Sequence, residues 1–167
     1  MQLIKPTKKY QKSWNEALAE FRVEGLKGFW NWSKDIDSID DFIQLTKDYE
    51  QGKGLPDGWV PSTTYWLIDG DQFIGHINIR HTLTDQLEKV GGHIGYAIRP
   101  SARNKGYGNK ILELTLPKAR ELGLKKVLVT TDQSNIASQK IIKKNKGKFH
   151  DEVSGKTEAK LRYWIEL

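Results

Sequence analysis

Cysteine is absent from the 167 residues. Disulfides, zinc-thiolate sites and a cysteine nucleophile are thereby excluded, so any acyl transfer by this chain must avoid a cysteinyl intermediate. No apolar run of about eighteen residues occurs, which argues against a membrane-spanning helix. The opening MQLIKP lacks the long apolar stretch and small-residue cleavage site of a secretory signal, so a cytoplasmic location is expected. Internal repeats and low-complexity tracts are missing too.

What is present suits a globular protein. The hydrophobic share of 37% with 10% aromatics is enough for a core, and the length is that of one ordinary domain, expected over residues 1–167. A net charge of +6 would fit a nucleic-acid surface, yet the 27 basic residues are interleaved with 21 acidic ones, so nucleic acid is the weaker reading. The same charge suits a polyanionic small ligand.

Periodicity divides the chain. Leu3 and Ile4 read as a short strand. Pro6 breaks it and Thr7 caps a helix with Tyr10, Trp14, Ala17, Leu18 and Phe21 on one face, ended by Gly25 and Gly28. Residues 38–41 resemble a capping box opening a second helix with Ile39, Phe42, Ile43 and Tyr49. A loop over 52–58 leads to a strand over 63–68 and the hairpin signal Asp69–Gly70. Beyond it Phe73, Ile77 and Ile79 alternate with His76, Asn78 and Arg80, as in a strand with one apolar face.

A polar excursion over 84–90 precedes a third central strand over 91–99, with Ile94, Tyr96 and Ile98 on one side. A helix with Ile111, Leu112, Leu114, Thr115, Ala119 and Leu122 ends at Gly123 and should kink at Pro117. The apolar run 125–131 completes a βαβ unit with parallel strands. A helix over about 135–146 follows, then a terminal strand carrying Leu161, Tyr163, Ile165 and Leu167, paired with 149–153. The fold class is α/β or α+β: a mixed, mostly antiparallel sheet of about seven strands flanked by about four helices.

Between the third strand and its helix lies RNKGYG, residues 103–108. A glycine turn at that junction can aim backbone N–H groups at an anion, with the helix dipole behind them. Gly106 would let the backbone approach oxygen atoms and Gly108 would permit tight entry into the helix, with Arg103 and Lys105 adding charge at the rim. The G-x-x-x-x-G-K-[ST] P-loop is absent, and a dinucleotide fingerprint fails because Ile111 stands where its third glycine belongs.

The R-x-x-G-x-G pattern after a strand, matched by Ile98, Arg103, Gly106 and Gly108, resembles the GNAT acetyltransferase superfamily. A second motif follows in order: Asn135 and Ser138 in NIAS, then GKF at 147–149. The resemblance spans about 93–149. Longer strings at 79–83 (IRHTL), 91–100 (GGHIGYAIRP) and 162–165 (RYWI) look like a group of uncharacterised bacterial GNAT proteins. The resemblance implies acetyl-CoA as donor and no metal. Coenzyme A would lie in a wedge where splayed parallel strands part, its pantetheine on the backbone of Tyr96, Ala97 and Ile98. Its pyrophosphate would sit on the amides of Asn104, Lys105, Gly106, Tyr107, Gly108 and Asn109, with Asn135 and Ser138 as further contacts.

Such enzymes often use a strand carboxylate as base and a second-motif tyrosine as acid. Here the strand position falls near Gly92 and His93, and the tyrosine position is Ile142. His93 and Asp132 are the candidate proton acceptors, and Tyr163 is a substitute acid. His76 and His81, on opposite strand faces, cannot make a metal triad with His150. The acceptor, a primary amine on a small molecule or peptide, is expected against the first two helices and the 53–60 loop, with Trp30, Trp32 and Trp59 as pocket aromatics. The 143–148 basic run reads as a solvated helix end. The expected function is direct acetyl transfer to that amine. The alternative is a non-catalytic acyl-CoA sensor of the same fold, and a homodimer stays open.

Overall fold

The computed structural model describes residues 1–25, 36 and 38–167, so Trp30, Trp32 and Gly28 lie outside the described residues. The seven strands among the described residues divide into two antiparallel sheets. In the first, β1 (Gln2–Ile4), β2 (Ser62–Asp69), β3 (Gln72–Arg80) and β4 (Ile94–Ile98) lie side by side in that order. In the second, β5 (Lys126–Asp132) and β6 (Lys148–Val153) flank β7 (Lys160–Glu166).

The β2–β3 hairpin closes at Gly70, whose φ of 57° is the left-handed value such a turn requires. Its two faces build different cores. Tyr65 and Leu67 face one way, into a cluster with Ile77, Ile79, Ile94, Ile111, Leu112, Val127 and Tyr163. Trp66 and Ile68 face the other, toward Trp14, Phe21, Phe42 and Phe73. The ring centroids of Trp14 and Phe42 lie 6.4 and 5.9 Å from that of Trp66.

This double covering corrects the expectation of one apolar face for β3, because His76 and Asn78 are buried as well. Helices α1 (Gln11–Val23) and α2 (Ile39–Glu50) supply the second cover. Ser38 caps α2 by accepting the Asp41 N–H at 3.3 Å, as the capping box implied.

The polar excursion after β3 contains a helix that periodicity did not reveal, α3 (Asp85–Lys89), with Thr84 accepting the Leu87 N–H at 3.3 Å. Helix α4 (Tyr107–Glu121) runs continuously through Pro117, and α5 (Ile136–Lys144) follows β5. No helix among the described residues is long and apolar enough to cross a membrane.

A partly buried ion pair ties the two halves of the chain together. Arg99 donates to Glu20 from Nε at 3.0 Å, and to Ser13 Oγ and the Phe73 carbonyl from Nη1 at 3.1 and 3.2 Å. Ser101 donates its N–H and its hydroxyl to the same carboxylate at 3.0 and 2.9 Å. Burial alone would raise the Glu20 carboxyl, but the hydrogen bonds from Arg99 and Ser101 outweigh it and hold the group below its usual range. Helix α1 thereby anchors the turn over Pro100–Ala102 that leads into α4.

Candidate active site

Connectivity from β4 through α4 to β5 would make a parallel ladder, whereas the family resemblance implies a splay. The splay is what forms. At its apex the His93 N–H donates to the Leu128 carbonyl at 2.7 Å, and the Leu128 N–H donates back to His93 Nδ1 at 2.9 Å. Gly91 N–H reaches Thr130 Oγ1 at 3.0 Å. Gly92 has a φ of 61°, and a Cβ there would lie 2.4 Å from the Leu128 carbonyl oxygen, so only glycine admits this approach. Past that point β4 has no ladder partner on its β5 side among the described residues, and the diverging strands enclose a cleft of about 610 Å³.

The sequence brings a glycine turn to this wedge. Asn104 and Gly106 take left-handed φ values of 61° and 84°, turning the chain into α4. Among the described residues the amides of 104–108 make no backbone hydrogen bond, whereas Asn109 N–H returns to the Gly106 carbonyl at 3.1 Å. Five successive N–H groups at the positive end of a helix dipole are thus unspent where the cleft meets α4. Gly108 is required for a different reason: a Cβ would stand 2.6 Å from Ile141 Cδ1 on the neighbouring α5.

The expected cofactor residues separate by where their side chains go. Tyr96, Ile98, Arg103, Asn104, Gly106, Gly108, Asn109, Asn135 and Ser138 line the wedge. Asn135 caps α5 by accepting the Ser138 N–H at 3.0 Å, and Ser138 Oγ lies 3.2 Å from the Tyr96 hydroxyl. Ala97 packs instead toward the α1 and α2 cluster. Lys105 Nζ donates to the Ser101 carbonyl at 2.8 Å, and the Tyr107 hydroxyl to Asp69 Oδ2 at 2.7 Å. Arg103 is engaged in a bidentate pair with Glu24 at 2.7 and 2.8 Å, and its Nε donates to the Ile98 carbonyl at 3.1 Å.

The two candidate proton acceptors sit differently. Asp132 lines the wedge and is ion-paired with Lys160. His93 lies behind the wedge wall with its Nδ1 occupied, so the neutral ring carries its proton on Nε2. Burial first, and the nearby charge of Arg80 second, push its pKa down to about 4. Tyr163 is buried in the core against Phe149, and Ile142 is wholly buried, its carbonyl taking the Gly147 N–H at 2.9 Å. No group of three His, Cys, Asp or Glu able to hold a metal occurs among the described residues.

A second cleft, of about 790 Å³, adjoins the first. The 57–60 stretch forms one wall with Asp57, Trp59 and Val60, while Asp85 and Leu87 of α3 form another. Ser62 and Asn78, both buried, come from β2 and β3. Trp59 is 39% exposed and meets the Tyr49 ring edge-on at 5.7 Å. Arg80 lines both clefts and donates from Nη1 to the Gly91 and Gly92 carbonyls at 3.1 and 2.9 Å. Sequence reasoning anticipated Trp59 but missed Arg80 and α3; the one available signal was the cap-like Thr84 followed by Asp85.

The family model described as Acetyltransferase (GNAT) domain matches residues 9–148. No curated protein matches the sequence. Among solved structures, the ribosomal L7/L12 alpha-N-protein acetyltransferase RimL in complex with coenzyme A aligns with a TM-score of 0.71 at 12% identity, covering 100% of this chain and 95% of that one. The microcin C7 self-immunity acetyltransferase MccE, in complex with acetyl-CoA and AMP, gives 0.67 at 15% identity, covering 99% and 91%. Spermidine N-acetyltransferase SpeG from Vibrio cholerae, as a mutant, gives 0.65 at 11% identity, covering 99% and 95%. At such identities the likeness concerns the fold.

Proposed function

Because the chain belongs to the GNAT acetyltransferase family, we propose that it moves an acetyl group from acetyl-CoA directly to a primary amine of a small molecule or peptide. The observation that carries this reading is the row of unspent amides over 104–108 at the rim of the wedge. A pyrophosphate satisfies those donors and the helix dipole together, which neutral ligands do not. The open edge of β4 at Tyr96, Ala97 and Ile98 would pair with the pantetheine amides, and Asn135 and Ser138 would close the opposite side.

The acceptor would enter through the second cleft, which adjoins the wedge at Arg80. Attack needs a neutral amine, so the ammonium must first lose a proton. Asp132 and His93 are the side-chain acceptors proposed for it. Asp132 has the better access because it lines the wedge, while His93 has its Nδ1 committed to Leu128. The pH profiles of His93→Ala and Asp132→Asn test them, and a profile unchanged in both variants removes both.

RimL and SpeG are named for a ribosomal protein N-terminus and for spermidine, so the fold serves amines of very different size. Ile142 in place of the family's tyrosine favours a second reading, a sensor that binds acyl-CoA without turnover. Calorimetry with coenzyme A, followed by thiol release over an amine panel, separates the two. Saturable binding with thiol release supports the enzyme. Binding with no release on any amine selects the sensor, and no binding at millimolar coenzyme A overturns both.

A further inference from the structure

Arg80 is the charged side chain shared by the two clefts, and no carboxylate among the described residues forms an ion pair with it. Arg99, Arg103 and Arg162 pair with Glu20, Glu24 and Asp151. Among the described residues Arg80, with burial lowering its pKa, gives its guanidinium only to the carbonyls of Gly91 and Gly92, through Nη1. Buried charges are ordinarily matched by a counter-charge, since desolvation disfavours an isolated ion. Here the positive charge is left unneutralised where donor and acceptor would meet.

A second observation marks where the amine would stand. Ser62 lies opposite Arg80 in the β2–β3 register and is only 6% exposed on the wall of the second cleft. Its hydroxyl takes part in no side-chain hydrogen bond seen among the described residues, and the residue lines the cleft. A cleft-lining hydroxyl that spends no hydrogen bond within the protein is a ready acceptor for an N–H of a ligand.

Resting on the acetyltransferase reading, we propose that Arg80 is a catalytic residue whose charge strips the acceptor ammonium of its proton as it docks beside Ser62, replacing the carboxylate base that the strand lacks. A like charge a few ångströms away disfavours the protonated amine by roughly ten- to a thousandfold. The first proton leaves to solvent through the second cleft. The neutral nitrogen then attacks the thioester carbonyl carbon, the C–N bond forms and the C–S bond breaks. The remaining surplus N–H proton goes to the departing thiolate, leaving one amide and one thiol. Arg80 already acts this way on an imidazole, since its charge adds to burial in lowering His93.

The test compares Arg80→Gln, which removes the charge, with Arg80→Lys, which keeps the charge but loses the two-carbonyl fork. The titratable groups around the junction are His93 just before β4, Asp85 on α3, Asp57 in the loop, and Asp132 and Lys160 across the wedge; all stay unchanged in both variants. Amine is titrated calorimetrically into the enzyme–coenzyme A complex at pH 8.5, in buffers of different ionisation enthalpy, which reads the protons released on docking. Wild type and Arg80→Lys are expected to release close to one proton per amine, and Arg80→Gln close to none.

In turnover, the rising limb of kcat reports the amine within the complex, and it should move to higher pH in Arg80→Gln. The deficit should be about a hundredfold at pH 7 and shrink toward pH 10. Equal proton release in wild type and Arg80→Gln, or a deficit independent of pH, overturns the proposal. If Arg80→Gln does not fold, loss of proton release in a folded Arg80→Lys overturns it equally. Wild type that releases no thiol on any amine defeats the acetyltransferase reading itself, whereas active wild type with an indifferent Arg80→Gln defeats only the role given to Arg80.

Discussion

His93 and Leu128 exchange two hydrogen bonds, one from each backbone N–H, at 2.7 and 2.9 Å, and so set the point from which β4 and β5 part. Only a neutral imidazole can accept at Nδ1. Because burial pushes the His93 pKa down to about 4 and that of His76 to about 3, the unfolded chain binds more protons than the folded one below the ordinary histidine value of about 6.5. Stability should be full above that value and decline as pH falls toward 4. Urea midpoints at pH 7.5 and 4.5 check the sign. His93→Ala, which strands the Leu128 N–H, should cost about 1–3 kcal/mol and abolish part of this slope.

Gly106 and Gly108 should fail for different reasons. A Cβ at Gly106 meets nothing within 4 Å, so Gly106→Ala suffers only from its φ of 84°, at about 1–2 kcal/mol. If the chain escapes that strain by flipping the turn, the amides turn away and coenzyme A binding falls. Gly108→Ala drives a methyl into Ile141, a cleft residue. Thermal melts with and without coenzyme A distinguish them: the ligand-induced rise in Tm should shrink more for Gly106→Ala than the loss in apo stability alone explains.

Arg103 is held by Glu24 at the surface, with side-chain exposures of 42% and 36%. Such a pair contributes at most about 1 kcal/mol, so a phosphate can displace it. Arg103→Ala should weaken coenzyme A by roughly 1.5–3 kcal/mol, and Glu24→Ala should leave binding equal or tighter. Weaker binding in Glu24→Ala would mean that the pair positions the loop rather than competing with the ligand. Calorimetry at two salt concentrations reads both.

Trp59, braced by Tyr49 on the wall of the second cleft, should serve the acceptor alone. A ring face toward an ammonium is worth about 0.5–2 kcal/mol, so Trp59→Ala should raise the KM for amine about two- to thirtyfold while the Kd for coenzyme A stays constant. Equal loss of both would argue that the tryptophan supports the fold instead.

The glycine turn was legible because everything it needs is local: Gly106 and Gly108 at fixed spacing, a strand before them, and a helix after. The wedge itself became legible only through the family resemblance, since the strand–helix–strand order alone points to a ladder. Asn135 read correctly as a helix cap on the wedge for the same local reason. Arg103 and Lys105 looked like free rim charges, yet one is taken by Glu24 and the other by the Ser101 carbonyl. Their partners are set by how α1 docks and how the turn after β4 folds, which no spacing along the chain encodes.

By itself the sequence determined the order of the strands and of the four longer helices, the excluded chemistries that follow from having no cysteine, and the glycine turn into α4, because these depend on side-chain periodicity and backbone freedom over a few residues. Tertiary structure decided that seven strands make two sheets, that β3 is covered on both faces by helices from either side of the chain, and that Arg80 stands between two clefts. Each of those depends on which distant segments come together. Gly92 against the Leu128 carbonyl is the clearest case: a missing Cβ acquires its meaning only when a strand 36 residues later arrives 2.4 Å from where that atom would have been.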